Sequence, residues 1–156
     1  MRYKLTFDKP HPKGMWILAV VLMLMTTAMA AVVNGFVPYA TRQLWLNHNQ
    51  AETLTLSAFL FLINFASIAG GILGYHYNNR RCVVAGGLFV AMGLGFIAVP
   101  NLALIGIVVY AVGVGTMGPN IYTLLSQLYA VDNPKRLAGF MVLFLAANAG
   151  YFISVA

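Results

Sequence analysis

The side chains able to do chemistry are few, and most of them are amides. Asn34, Asn64, Asn120, Asn148, Thr116, Ser126 and Gln127 all fall inside long apolar runs. At such depth a polar group bonds a neighbouring helix or a ligand, and Asn64 reads as interhelical glue. No Asp, Glu or Lys occurs there, so these runs supply no carboxylate for a proton relay. Arg42 and Glu52 sit near the ends of runs. His11, His48 and His76 lie in the tail or loops at unrelated spacings, which predicts no metal site. The single Cys82 excludes an intrachain disulfide framework and a Cys-based zinc site, and reads as a small apolar residue at a helix start. No Ser-His-Asp pattern, HExxH or phosphate loop is present. The residues therefore predict neither an enzyme nor a bound cofactor.

One stretch, Gly113 to Gly150, concentrates the irregularity. Pro119 removes a helix hydrogen bond and collides with the preceding turn. Gly113, Gly115 and Gly118 make the segment before it easy to bend. Asn120 can bond the freed carbonyls or a ligand. Irregular backbone at membrane depth is tolerated only where it is buried in protein or lines a cavity. Two readings stay open on these residues: a hinge beside a cavity, or a static kink filled by a neighbouring helix. The first apolar run holds a similar pair, Gly35 and Pro38.

These residues are positioned by membrane-spanning helices. Of 156 residues, 61% are hydrophobic and 8% charged, against roughly 45–50% and about 25% in soluble chains. The formal charge of +6 comes from basic residues scattered in short loops, with no basic face, which excludes nucleic acid as a partner. About 20 apolar residues cross a bilayer. Five spans are predicted: 14–46, 51–75, 80–99, 102–129 and 134–156, after a tail at 1–13. The first run is too long for a signal peptide. Pro134 falls at an N1-like position after Asp132 and Asn133. The loops are short, so successive helices are antiparallel neighbours. The tail carries Arg2, Lys4, Lys9 and Lys13, the second loop Arg80 and Arg81, and the fourth Lys135 and Arg136. Only Arg42 lies towards the other side. Basic residues stay inside, so the N-terminus is expected in the cytoplasm.

Small residues recur every four positions: Ala66, Gly70 and Gly74 on the second span, and Gly87, Ala91 and Gly95 on the third. Both stripes are expected to face other helices of the bundle. An odd number of spans ending on FISVA reads as the front part of a larger bundle.

The residues Gly113-Val-Gly115-Thr-Met-Gly118-Pro119-Asn120, then Leu128-Tyr129, Arg136, Gly139-Phe140 and Asn148-Ala-Gly150 carry a resemblance. They are similar to helices four and five of the proton-dependent oligopeptide transporter family, within the major facilitator superfamily. The family pattern is Gly-x-Gly-x-x-Lys-Pro-Asn, a Leu-Tyr, a basic turn, Gly-Phe, then Tyr-x-x-x-Asn-x-Gly. Phe36-Val-Pro-Tyr39-Ala-Thr-Arg42 resembles the family's Phe-x-Tyr-Tyr-Gly-x-Arg. Gly71 to Arg81, ending in Arg80-Arg81, looks like a degenerate form of the superfamily's cytoplasmic loop motif. The chain also departs from the pattern. The first-helix Glu-x-x-Glu-Arg falls on Ala31 to Gly35, the fourth-helix Lys on Gly118, the fifth-helix Tyr on Phe144, and the loop Asp on Tyr75. In the family the Glu and Lys are implicated in proton coupling and peptide-carboxylate recognition.

The resemblance implies an all-α integral membrane protein with five transmembrane helices. They would be the N-terminal portion of a major-facilitator bundle in a bacterial inner membrane, an incomplete six-helix half. It implies a carrier of short peptides or related small solutes by alternating access, whose five helices lack the charges for proton coupling. Tyr39, Asn120 and Asn148 are the expected substrate or gating contacts, with Arg42 at the external gate. Gly113, Gly115, Gly118 and Pro119 are the expected hinge, and Gly71, Arg80 and Arg81 the cytoplasmic motif. The expected partners are the lipid bilayer, the substrate and further helices of the same transporter. The alternative is a transporter-derived membrane subunit that binds a partner and carries nothing.

Overall fold

A computed structural model describes residues 11–43 and 45–155 of the chain. The tail residues Arg2, Lys4 and Lys9 and the terminal Ala156 lie outside them. The described residues are helical throughout, joined by short turns. The first helix, α1, is Lys13–Gln43. A short helix α2 (His48–Glu52), a π-helical stretch (Thr53–Phe59) and α3 (Leu60–Tyr77) together make the second span. α4 is Asn79–Ile97, α5 is Ala103–Gln127 and α6 is Lys135–Val155. Five of these segments are long and apolar enough to cross a membrane, and the protein is an all-α integral membrane protein.

Asparagines cap the starts of three helices. Asn47 begins α2 with a capping box: its side chain accepts from the Gln50 N–H, and the Gln50 side chain accepts from the Asn47 N–H. Asn78 separates α3 from α4 at φ 98°, and its Oδ1 accepts from the Arg80 N–H at 2.9 Å. Asn tolerates this left-handed backbone better than most residues. Asn133 caps α6 by accepting from the Lys135 N–H at 2.9 Å. Beyond α1, Trp45 also takes positive φ, 54°.

α5 is the centre of the bundle. Thirteen of its residues are buried, from Ala103 to Leu125. α3 and α4 pack along two of its sides, α1 meets it at both ends, and α6 packs chiefly on α1. One core cluster joins Val32, Phe36, Phe59, Ile107, Tyr110 and Val114. There the π-helical stretch delivers Phe59 onto Tyr110, rings stacked 5.9 Å apart. The other joins Met15, Leu22, Ile121, Leu125, Tyr129 and Leu143. Lipid tails are as apolar as Leu, so close backbone approach and interhelical hydrogen bonds hold such helices together.

The expected stripe on the second span is the one used. Ala66, Gly70 and Gly74 are the buried residues of α3. A methyl group on Gly70 would lie 2.6 Å from Thr116 Cα. The expected stripe on the third span is not. α4 buries Cys82, Gly86 and Gly93. Gly95 has nothing within 4 Å of a built Cβ, and Gly87 only the Met117 sulfur at 3.8 Å. Gly86 instead faces Gly113 reciprocally: a Cβ on either would meet the other's carbonyl oxygen at 2.8 Å. Gly93 abuts Tyr110, where the nearest backbone atom is 2.6 Å from a built Cβ. α4 carries small residues on more than one face, and the bulk of Tyr110 and Met117 decides which face closes.

Candidate functional site

The seam between α3 and α5 holds the most organised polar chemistry. Asn120 is 1% exposed. Its Nδ2 donates to the Gly70 carbonyl at 2.8 Å and to the Thr116 carbonyl of its own helix at 2.7 Å. α5 runs unbroken through Pro119, as α1 does through Pro38. Pro119 leaves the Gly115 carbonyl without its helix donor. That oxygen faces α3, 3.0 Å from where a Gly70 Cβ would sit. Asn120 thus bonds Thr116 and Gly70, one residue on from the carbonyl that Pro119 freed.

The four residues expected as a hinge divide into two groups. Gly113 and Gly115 lie on opposite sides of α5. A Cβ on Gly113 would sit 2.6 Å from the Val90 nitrogen of α4; one on Gly115 would sit 2.7 Å from the Ile63 oxygen of α3. Close approach to two neighbours accounts for both glycines. Gly118 has nothing within 4 Å of a built Cβ. Gly118 and Pro119 are only half-buried.

Next to Pro119 lies a polar cleft. Gly71, Gly74, Tyr75, Asn78, Asn79, Thr123 and Gln127 line a recess of about 520 Å³ between the ends of α3 and α5. Pro119 lies on its border, 4.0 Å from a built Gly71 Cβ. The lining offers amides and hydroxyls and no charged group. Amides both donate and accept, so the cleft suits neutral hydrogen-bonding groups. Gly71 belongs to this cleft, whereas Arg80 and Arg81 line a groove on the other side of Asn78. The loop motif is therefore split between two recesses.

The remaining expected contacts are dispersed. Tyr39 lines an apolar pocket of about 270 Å³ with Ala31, Val32, Gly35, Phe36 and Ile97. Its hydroxyl is buried without a hydrogen-bond partner among the described residues. Asn148 is exposed on α6, its Nδ2 donating to the Phe144 carbonyl of its own helix at 2.7 Å. Its near neighbour Gly150 packs on Met23 and Thr26 of α1. From Thr26 to Tyr39 is about 20 Å along the helix, so Tyr39, Asn120 and Asn148 do not share one pocket. Arg42 is exposed at the end of α1. Near it Glu52 pairs with His48 at 3.4 Å. Asn64 is no interhelical glue among the described residues: it is exposed, and its Nδ2 donates to Leu60 of its own helix at 2.8 Å. No group of three His, Cys, Asp or Glu side chains among the described residues forms a metal site.

A further cluster ties the start of the chain to the α5–α6 turn. His11 Nδ1 lies 2.8 Å from the Tyr129 hydroxyl, which also donates to the Met15 sulfur at 3.0 Å. Gly139 presses on the Tyr129 ring, which a Cβ there would meet at 2.9 Å. Burial pushes the Tyr129 phenol above its usual value. The Leu128-Tyr129 and Gly139-Phe140 pairs were visible in the sequence; that Tyr129 and Gly139 touch was not.

The sequence is similar to those of known transporters. No family model matches the chain. The chain is 27% identical over 131 residues to the di-/tripeptide transporter of Lactobacillus helveticus, covering 81% of this chain and 26% of that protein. It is 29% identical over 121 residues to dipeptide and tripeptide permease A of Pectobacterium carotovorum subsp. carotovorum (strain PC1), covering 75% and 24%. The chain is a divergent relative of the di- and tripeptide permeases. An uncharacterized transporter of Bacillus subtilis (strain 168) is 28% identical over 157 residues, 90% of this chain and 30% of that one. The chain thus spans about a quarter of the length of these transporters. The resemblance read from Gly113 to Gly150 agrees with these matches. The chain is related to membrane transporters, which are not enzymes.

Proposed function

We propose that this chain forms the N-terminal helices of a carrier that moves short peptides or related small solutes across a bacterial inner membrane by alternating access. One observation carries the reading: two peptide permeases match three-quarters or more of the chain. In this reading the five helices belong to a six-helix half. Lys13, Arg80, Arg81, Lys135 and Arg136 gather at one end, which the charge rule puts in the cytoplasm. The α3–α5 seam is the rocking element, with Gly118 and Pro119 bordering the path. Tyr39 and Asn148 supply neutral contacts to substrate, and Arg42 guards the external side. Glu52 and Asp132, the acidic residues among those described, are exposed beyond the apolar core of the spans. These helices hold no carboxylate relay, so proton coupling does not run through them.

Uptake of labelled dipeptides into liposomes holding the full-length protein, with and without an imposed proton gradient, tests this. Saturable uptake that ignores the gradient is expected. No uptake of any peptide, with a stable complex on a second membrane protein, would replace the carrier by a transporter-derived subunit, a reading the missing charges also favour.

A further inference from the structure

The turn between α3 and α4 borders a second recess of different character. Asn78, Arg80, Arg81, Val84, Ala85 and Leu88 line a groove of about 460 Å³. All of them belong to α4 or its cap, so the groove opens outward, away from α5. Its polarity is graded along the helix. Arg80 and Arg81 stand exposed in the first turn, and neither makes an ion pair among the described residues. Val84 and Leu88, 60% and 63% exposed, continue towards the membrane centre. Leu88 lies about 10 Å deeper than Arg81 at 1.5 Å per residue. The same end carries Lys13, Lys135 and Arg136, with Asp132 as its acidic residue among those described. α4 is long and apolar enough to cross the membrane, and no helix among the described residues covers this groove.

We propose that this groove seats one anionic phospholipid of the leaflet at the basic end. Its phosphate sits between Arg80 and Arg81, and one acyl chain runs along Val84, Ala85 and Leu88. Charge complementarity selects the occupant. A guanidinium pairs phosphate oxygens in a bidentate fork, and basic pockets at the ends of spanning helices hold anionic head groups. A zwitterionic lipid offers the same chain but brings its own ammonium, which competes for the phosphate. The proposal rests on α4 spanning the bilayer with this face turned to lipid, and is independent of what the protein transports.

Native mass spectrometry of the detergent-purified protein tests it, with phosphatidylglycerol or phosphatidylcholine supplied at equal concentration. One phosphatidylglycerol adduct is expected to persist where phosphatidylcholine leaves. Arg80→Gln with Arg81→Gln is expected to lower the bound fraction about tenfold or more, the scale for two interfacial arginines. Leu88→Asn is expected to lower it as well, and Arg136→Gln to leave it unchanged. Each variant is first checked for the parent's helical signal and elution as one species. Equal retention of both lipids would overturn the proposal, as would equal loss in Arg136→Gln. Displacement by millimolar inorganic phosphate alone would reassign the site to a free anion.

Discussion

Asn120 Nδ2 and the Gly70 carbonyl, 2.8 Å apart, form the hydrogen bond that crosses the α3–α5 seam. Gly74 completes the fit, because a Cβ there would fall on Asn120 Oδ1. Asn120→Ala is expected to cost about 1 kcal/mol, the usual worth of a hydrogen bond between membrane helices. Gly74→Ala is expected to cost more, since it displaces the Asn120 side chain as well. Thermal unfolding of the purified variants in detergent checks the order. A Gly74→Ala protein as stable as the parent would show that the seam is loose.

Gly113 and Gly118 offer a contrast within a single helix. Gly113→Ala drives a methyl group towards the Val90 nitrogen of α4 and is expected to destabilise by about 1–3 kcal/mol, the range for overpacking. Gly118→Ala enters open space and is expected to be neutral or to stabilise by up to about 1 kcal/mol, since Ala favours helix over Gly. Unfolding temperature separates the two. Slower uptake in a Gly118→Ala protein of unchanged stability would mark that position as a point of bending.

The Tyr129 phenol is held above its ordinary value of 10.0 by burial. A raised acid favours the folded state below the unfolded value, and that preference fades as pH climbs through the folded one. Stability is therefore expected to decline above about pH 10, and to decline less steeply in Tyr129→Phe. At neutral pH the same substitution removes the contacts to His11 and Met15 and is expected to cost about 1 kcal/mol. Unfolding followed at neutral and alkaline pH, parent against variant, reads both effects. Parallel pH curves would mean that Tyr129 ionises freely.

Tyr39 makes no hydrogen bond through its buried hydroxyl among the described residues. Tyr39→Phe is therefore expected to leave stability unchanged or slightly raised. A several-fold loss of peptide uptake in that variant, and in Asn148→Ala, would then report contact with substrate. If neither substitution alters uptake by the full-length protein, both positions fall out of the transport path.

The seam shows how much of the site was legible. Pro119 and Asn120 announced an irregular spot through their chemistry alone, and Ala66, Gly70 and Gly74 announced a packing face through their spacing. Neither pattern says that the two meet, because period-four spacing names a face without naming its partner. The third span makes the same point. Gly87, Ala91 and Gly95 have the same spacing, yet α4 closes on Gly86 and Gly93.

By itself the sequence determined the class of protein, the number of spans and the end at which basic charge gathers. Those properties are sums over neighbouring residues, and the bilayer reads them locally. The tertiary structure alone decided the roles of chemically identical residues. Asn64, Asn120 and Asn148 are the same amide, each inside an apolar helix. Only Asn120 faces a neighbouring backbone bare of side chains, so only Asn120 crosslinks two helices. Asn64 and Asn148 turn back on their own. The difference lies in Gly70, fifty residues away in sequence and one hydrogen bond away in space.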